Sequence, residues 1–190
     1  MEIQLGNEAL FQYNSSVISY TQEEFDTLFD LLGKKERKCV KMFGKTYMRP
    51  RKEAVWGKDI KYSGVTITKE VNNNCLVDKV MDHANKERES KFTWCLVNLY
   101  ESGDDYVDWH RDNEKDVKGN EVHTYSFGSS RVFEIRPYDK NERKKRKVEK
   151  IELEPGSCGI MKGQRMQIDF QHRVPKKKNV GPRISITPRM

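Results

Sequence analysis

Between residues 21 and 33 the apolar positions Phe25, Leu28, Phe29 and Leu32 recur three and four apart, the spacing of one helical face. Thr21-Gln22-Glu23-Glu24 ahead of them is a capping box: the hydroxyl accepts from the amide three residues on, and the glutamate reaches back. Gly33 is expected to end this helix. A second stripe, Leu76, Val77, Val80, Met81 and Ala84, follows the capping residues 72–74 and predicts a second packing helix. Elsewhere the pattern is that of strands and turns. Residues 8–20 read as an extended segment, 40–42 as a short strand turning at Phe43-Gly44, and 56–59 as a turn. Residues 65–67, 92–100, 123–127, 131–136, 148–153, 157–161 and 183–189 read as further strands, with 128–130 as a hairpin turn. Many short strands behind two helices predict a mainly β core with flanking helices packed outside it.

At 190 residues the chain is expected to form one domain. Hydrophobic residues are only 35% and charged residues 34%, polar for a globular chain. Net charge is +7, which suits a polyanionic partner. The basic residues cluster at 34–52, 138–150 and 176–178. The run at 138–150 reads as a solvated loop, in which Lys144-Lys145-Arg146-Lys147 also fits a nuclear import signal. Cys39, Cys75, Cys95 and Cys158 form no Cys-x-x-Cys pair and read as reduced thiols of an intracellular protein. No signal peptide, transmembrane span or membrane association is expected.

Three polar patterns carry candidate chemistry. His110 and Asp112 are two apart, so in a strand they share a face. With His172 they would give two nitrogens and a carboxylate, the ligand type of non-haem Fe(II) oxygenases; a surface loop is the bland alternative. Arg183, Ser185, Thr187 and Arg189 also repeat every second residue, with Ile184 and Ile186 between them. That is either a half-buried strand with a solvated polar side or a strand whose arginines line a pocket for a small dianion. Asn98 and Tyr100 share a face of the 92–100 strand. Asp104, Asp105, Asp108 and His123 are rival ligands, and His83 reads as a surface residue.

In order, the chain has Asn98-Leu99-Tyr100, His110-Arg111-Asp112, His172 and Arg183 to Arg189, with Ser126-Phe127-Gly128, Arg131-Val132-Phe133 and Gln171-His172-Arg173-Val174-Pro175 between. These motifs resemble the AlkB family of Fe(II)/2-oxoglutarate dioxygenases over roughly residues 40–190, most of all its duplex-DNA-acting animal homologues. The resemblance implies a double-stranded β-helix, or jelly roll. Its parts would be an N-terminal extension and packing helix (1–39), a nucleotide-recognition region (40–90) and the jelly-roll core (91–190).

The same resemblance implies Fe(II) on His110, Asp112 and His172, with 2-oxoglutarate and O2 as cosubstrates. Asn98, Tyr100, Arg183, Ser185, Thr187 and Arg189 would hold the 2-oxoglutarate. Phe43, with Gly44 and Lys45, would form a wedge filling the gap left by a flipped base. Tyr62 would stack on that base, Asn113 and Glu114 would contact it, and Arg131 would touch the backbone. The implied activity of this monomer is oxidative demethylation of alkylated DNA, duplex included. RNA or single strands as substrate, and a non-catalytic nucleic-acid binder, are the alternatives. Two residues depart from the family pattern: Ser185 replaces an Asn, and Pro188, which suits an edge strand, replaces an aromatic.

Overall fold

The computed structural model describes every residue except 43, 63–64, 87–90 and 113–120, and leaves out the side chains of 41, 42, 62 and 65. In chain order the elements are β1 (Glu2–Gly6), β2 (Ala9–Asn14), α1 (Gln22–Gly33), β3 (Cys39–Met42), β4 (Lys45–Met48), β5 (Lys52–Trp56), β6 (Ile60–Tyr62), β7 (Val65–Ile67) and α2 (Cys75–Asn85). There follow β8 (Trp94–Tyr100), β9 (Val107–His110), β10 (Glu121–Gly128), β11 (Arg131–Pro137), α3 (Lys140–Lys145), β12 (Glu149–Leu153), β13 (Ser157–Lys162), α4 (Met166–Asp169), β14 (Phe170–Val174) and β15 (Arg183–Arg189).

Two antiparallel sheets make the jelly roll. The larger runs β1-β2-β13-β10-β15-β8-β5 and the smaller β12-β11-β14-β9, while β3-β4 and β6-β7 are separate hairpins. The larger sheet draws strands from residues 1–39, 40–90 and 91–190 alike.

Strand alternation builds two apolar layers. From β10, Val122 points into the space between the sheets, where it joins Phe11, Phe133, Ile135, Met161 and Phe170. Tyr125 and Phe127 of the same strand point the other way and meet Leu28, Leu32, Leu76 and Val80 of α1 and α2. The capping box forms as the sequence predicts: Glu24 N donates to Thr21 Oγ1 and Thr21 N to Glu24 Oε2. Gly33 is the last residue of α1 rather than a left-handed cap; Lys34 closes the helix in the right-handed region and its amide donates to Leu32 O.

Residues 140–145, read above as loop, form α3. Asp139 caps it by accepting from the amides of Asn141 and Glu142. The β8–β9 connection is pinned by Gly103, where an added Cβ would lie 1.6 Å from Lys177 O. No helix among the described residues is long and apolar enough to cross a membrane.

Candidate active site

β9 and β14 pair antiparallel, with His110 directly opposite His172. That register brings together two imidazoles 62 residues apart, their ring centroids 4.2 Å from each other. Between this pair and the Val107–Val174 pair, three residues of β9 span what two span on β14, a β-bulge. Both Val107 and His110 can therefore line the same cavity. Asp112 lies beyond the end of β9, so strand alternation does not by itself place it. Its amide donates to Gln167 Oε1 of α4 (2.9 Å), and its Oδ2 accepts from Arg189 Nη2 (2.7 Å). Asp112 Oδ1 lies 3.7 Å from His110 Nε2. One potential ligand atom from each of His110, Asp112 and His172 lies within 4.8 Å of the others.

The surroundings set orientation and charge. His110 Nδ1 lies 2.8 Å from Asp108 O; donating to that carbonyl leaves Nε2 free to bind a metal. The His172 ring stacks on Phe133 at 5.2 Å. Burial, with His110 beside it, pushes the His172 imidazole down to about 3. Burial works upward on Asp112, but Arg189 and the two histidines outweigh it and hold the carboxyl at about 2. At neutral pH His172 is neutral and Asp112 ionised, the states metal ligation requires.

A cavity of about 90 Å³ opens on this set. Its other wall comes from β15 and β8, where Arg183 lies opposite Tyr100 and Ser185 opposite Asn98. Asn98, Tyr100, Arg183, Ser185, Thr187 and Arg189 all line it, while Ile184 and Ile186 pack in the layer beneath the helices. The pocket reading of the tail thus prevails over the solvated-strand one. Arg183 is fully buried; its Nε donates to Ser126 Oγ (2.8 Å), and among the described residues neither terminal nitrogen has a well-formed hydrogen bond, although Tyr100 beside the guanidinium favours its charge. Burial lowers its affinity for the proton. Pro188 sits in a central strand, but β10 pairs only with residues 183–186, so the proline occupies a stretch where β15 has β8 alone beside it.

Sequence reasoning missed Arg51, Trp94 and Gln167. Arg49 and Arg51 belong to the basic 34–52 cluster, yet both are buried and both pair with buried Glu53 (Arg51 at 2.7 Å). Arg51 Nε also donates to Asn98 Oδ1 (2.9 Å), and Arg51 lines the cavity. The signal was present: Glu53 falls two and four residues after those arginines, in a strand that continues Ala54-Val55-Trp56.

Arg131 corrects the expectation of a backbone contact. It is fully buried, and its guanidinium donates to the carbonyls of Ser102, Asp105 and Pro175, out of reach of a phosphate. Asp105 pairs with Arg37 (2.7 Å), and His123 lies beside Glu121 (3.2 Å) away from the His110 pocket. His83 is exposed, with Nδ1 2.9 Å from Tyr125 Oη. Gly44 takes φ 75° at the β3–β4 turn, and Lys45 is exposed beside it. Phe43, Asn113, Glu114 and the Tyr62 side chain lie outside the described residues.

Residues 7–189 match the 2OG-Fe(II) oxygenase superfamily. The chain is 32% identical to mouse DNA oxidative demethylase ALKBH2 over 156 residues, covering 78% of this chain and 64% of that protein. It is 34% identical to the bovine alpha-ketoglutarate-dependent dioxygenase alkB homolog 3 over 150 residues, covering 75% and 52%. The chain thus spans about half to two thirds of the length of the curated relatives it matches. The fold is that of the structure of OsALKBH1, with TM-score 0.63, 14% identity and complete coverage of both chains. The chain belongs to the 2OG-Fe(II) oxygenase superfamily and, within it, to the AlkB family. Fe(II) and 2-oxoglutarate, which that family implies, fit the residues present. Two nitrogens and a carboxylate suit the metal, and the terminal guanidinium nitrogens of buried Arg183 suit a carboxylate.

Proposed function

We propose that the chain is an Fe(II)/2-oxoglutarate-dependent nucleic-acid dealkylase. It removes N-methyl groups from bases such as 1-methyladenine and 3-methylcytosine in DNA, duplex included, and releases formaldehyde. The observation that carries this reading is Arg183, a buried cation whose two terminal nitrogens have no well-formed hydrogen bond among the described residues, in the same cavity as His110, Asp112 and His172. A dianionic cosubstrate satisfies it; a structural metal site alone leaves it unexplained.

His110, Asp112 and His172 would hold the metal. Arg183 would hold the far carboxylate of 2-oxoglutarate, with Tyr100 and Asn98 as further hydrogen-bonding groups. Arg51 fixes the Asn98 amide by donating to its oxygen, which turns the amide nitrogen toward Ser185 Oγ (3.4 Å) and the cavity. Ser185, Thr187 and Arg189 complete that wall, and Arg189 keeps Asp112 ionised. With the iron bound, O2 would be the oxidant: one oxygen would go to 2-oxoglutarate, which leaves as succinate and CO2, and the other would become a hydroxyl on the N-methyl carbon, whose carbon–nitrogen bond then breaks to give formaldehyde and the restored base. The protein's share is placement and charge. Tyr62, Asn113 and Glu114 receive the flipped base, and Phe43, with Gly44 and Lys45 at the β3–β4 turn, fills the gap it leaves. We assign the exposed 144–147 run to nuclear import.

The test is formaldehyde release from 1-methyladenine placed in duplex DNA, single-stranded DNA and RNA of one sequence. Release from duplex supports the full reading. Release only from single strands or RNA keeps the chemistry and removes the duplex assignment.

A further inference from the structure

β9 and β14 carry His110 and His172 on their inner face, and Trp109 and Arg173, one residue away, turn to the outer face. There the Arg136 guanidinium lies 3.9 Å over the Trp109 ring and that of Arg173 lies 4.5 Å from the same ring. Beyond the end of β9, Arg111 lies 3.8 Å over Tyr138, which is 48% exposed. While α1 and α2 cover the larger sheet, Trp109, Arg136 and Arg173 remain only half-buried. The charge here is mainly positive, with Asp108 and Glu134 as the carboxylates that act on Arg136. Arg173 and Lys150 share Glu134 at 2.6 and 3.5 Å, and neither Arg136 nor Arg111 has an ion pair among the described residues.

We propose that this outer face of the four-stranded sheet is a second nucleic-acid contact, which holds a single-stranded flank of the substrate outside the reaction pocket. The inference rests on the dealkylase reading for its class of ligand. Guanidinium forks match phosphodiester oxygens in charge and geometry. The stacked arginine planes and the open Tyr138 ring offer platforms for base faces, which a single strand exposes and a duplex hides.

The test is the affinity of unmodified single-stranded DNA, measured by anisotropy across a salt series with neither iron nor 2-oxoglutarate. A strand of about 12 nucleotides can span pocket and face, and one of about 3 reaches the pocket alone. Removing two phosphate contacts by Arg136→Gln with Arg173→Gln should reduce the slope of log affinity against log salt by about 1.4, and weaken the long strand roughly tenfold. The short strand should bind as before. The paired Arg→Lys changes should restore the salt slope while leaving affinity below wild type, since charge returns without the planar stack. An unchanged slope overturns the proposal. So does equal weakening of both lengths, which marks a fold defect, and so does competition by polyglutamate as strong as that by DNA, which marks an acidic protein partner. Because the readout needs no turnover, a failed demethylation assay leaves it intact. Full activity with an unchanged slope sinks this inference alone.

Discussion

Arg183→Met separates the cost of this cavity from its use. Unliganded, Arg183 buries two terminal nitrogens that have no well-formed hydrogen bond among the described residues, and gains one bond to Ser126. Taking about 1 kcal/mol for each unsatisfied donor and about 1 kcal/mol for the lost bond, the variant gains about 1 kcal/mol of stability. For a chain of this size that raises Tm by about 2–4 °C. With 2-oxoglutarate the sign reverses. Two charge-assisted hydrogen bonds at about 1.5–3 kcal/mol each disappear, so affinity falls roughly 10²- to 10⁴-fold. Titration calorimetry with Mn(II) in place of Fe(II) reads the affinity without turnover. Melting curves give the second reading: at a cosubstrate concentration of about 100 wild-type Kd the wild type gains about 2.7 kcal/mol, and the variant gains at most about 0.4 kcal/mol. A variant that binds 2-oxoglutarate within about threefold of wild type refutes the assignment of Arg183, since one lost bond already costs more.

Arg131→Met should do the opposite of a substrate-contact mutation. It removes three hydrogen bonds and strands the buried Asp105 carbonyl, costing about 1–3 kcal/mol in a denaturant melt, while DNA affinity of the folded fraction stays unchanged. Phe43→Ala should lower turnover on duplex far more than on single strands; equal losses reject the wedge. Glu24 supplies a pH test. Its hydrogen bond from Cys75, then those from Lys79 and the Thr21 amide, lower its carboxyl from 4.5 to about 2. A depressed carboxyl contributes stability above its unfolded value and loses it as pH falls toward the folded one. Glu24→Gln should therefore lower Tm at pH 7 and match wild type near pH 2; a constant deficit across that range contradicts the assignment.

Local chemistry was the legible part. The Thr21 capping box needs four consecutive residues, and the faces of β15 need only alternation, so both could be read directly. The pairing of His110 with His172 depends on strand register across 62 residues, which no local pattern encodes; only resemblance to a family supplied it. The bulge in β9 and the position of Asp112 beyond the strand depend on Gln167 and Arg189, both distant in sequence. Arg49, Arg51 and Arg131 misled for one reason: charge predicts exposure until a partner is known, and their partners are Glu53 and three backbone carbonyls. The α3 helix was hidden by its lysines, although Asp139 and Glu142 stand where a capping box places them.

The most direct test of the account is formaldehyde release from single-stranded DNA carrying 1-methyladenine, with Fe(II) and 2-oxoglutarate, by the wild type beside His172→Ala. Release that needs both additions and disappears in the variant is the predicted result. No release from a wild type that binds iron, or equal release from the variant, contradicts it.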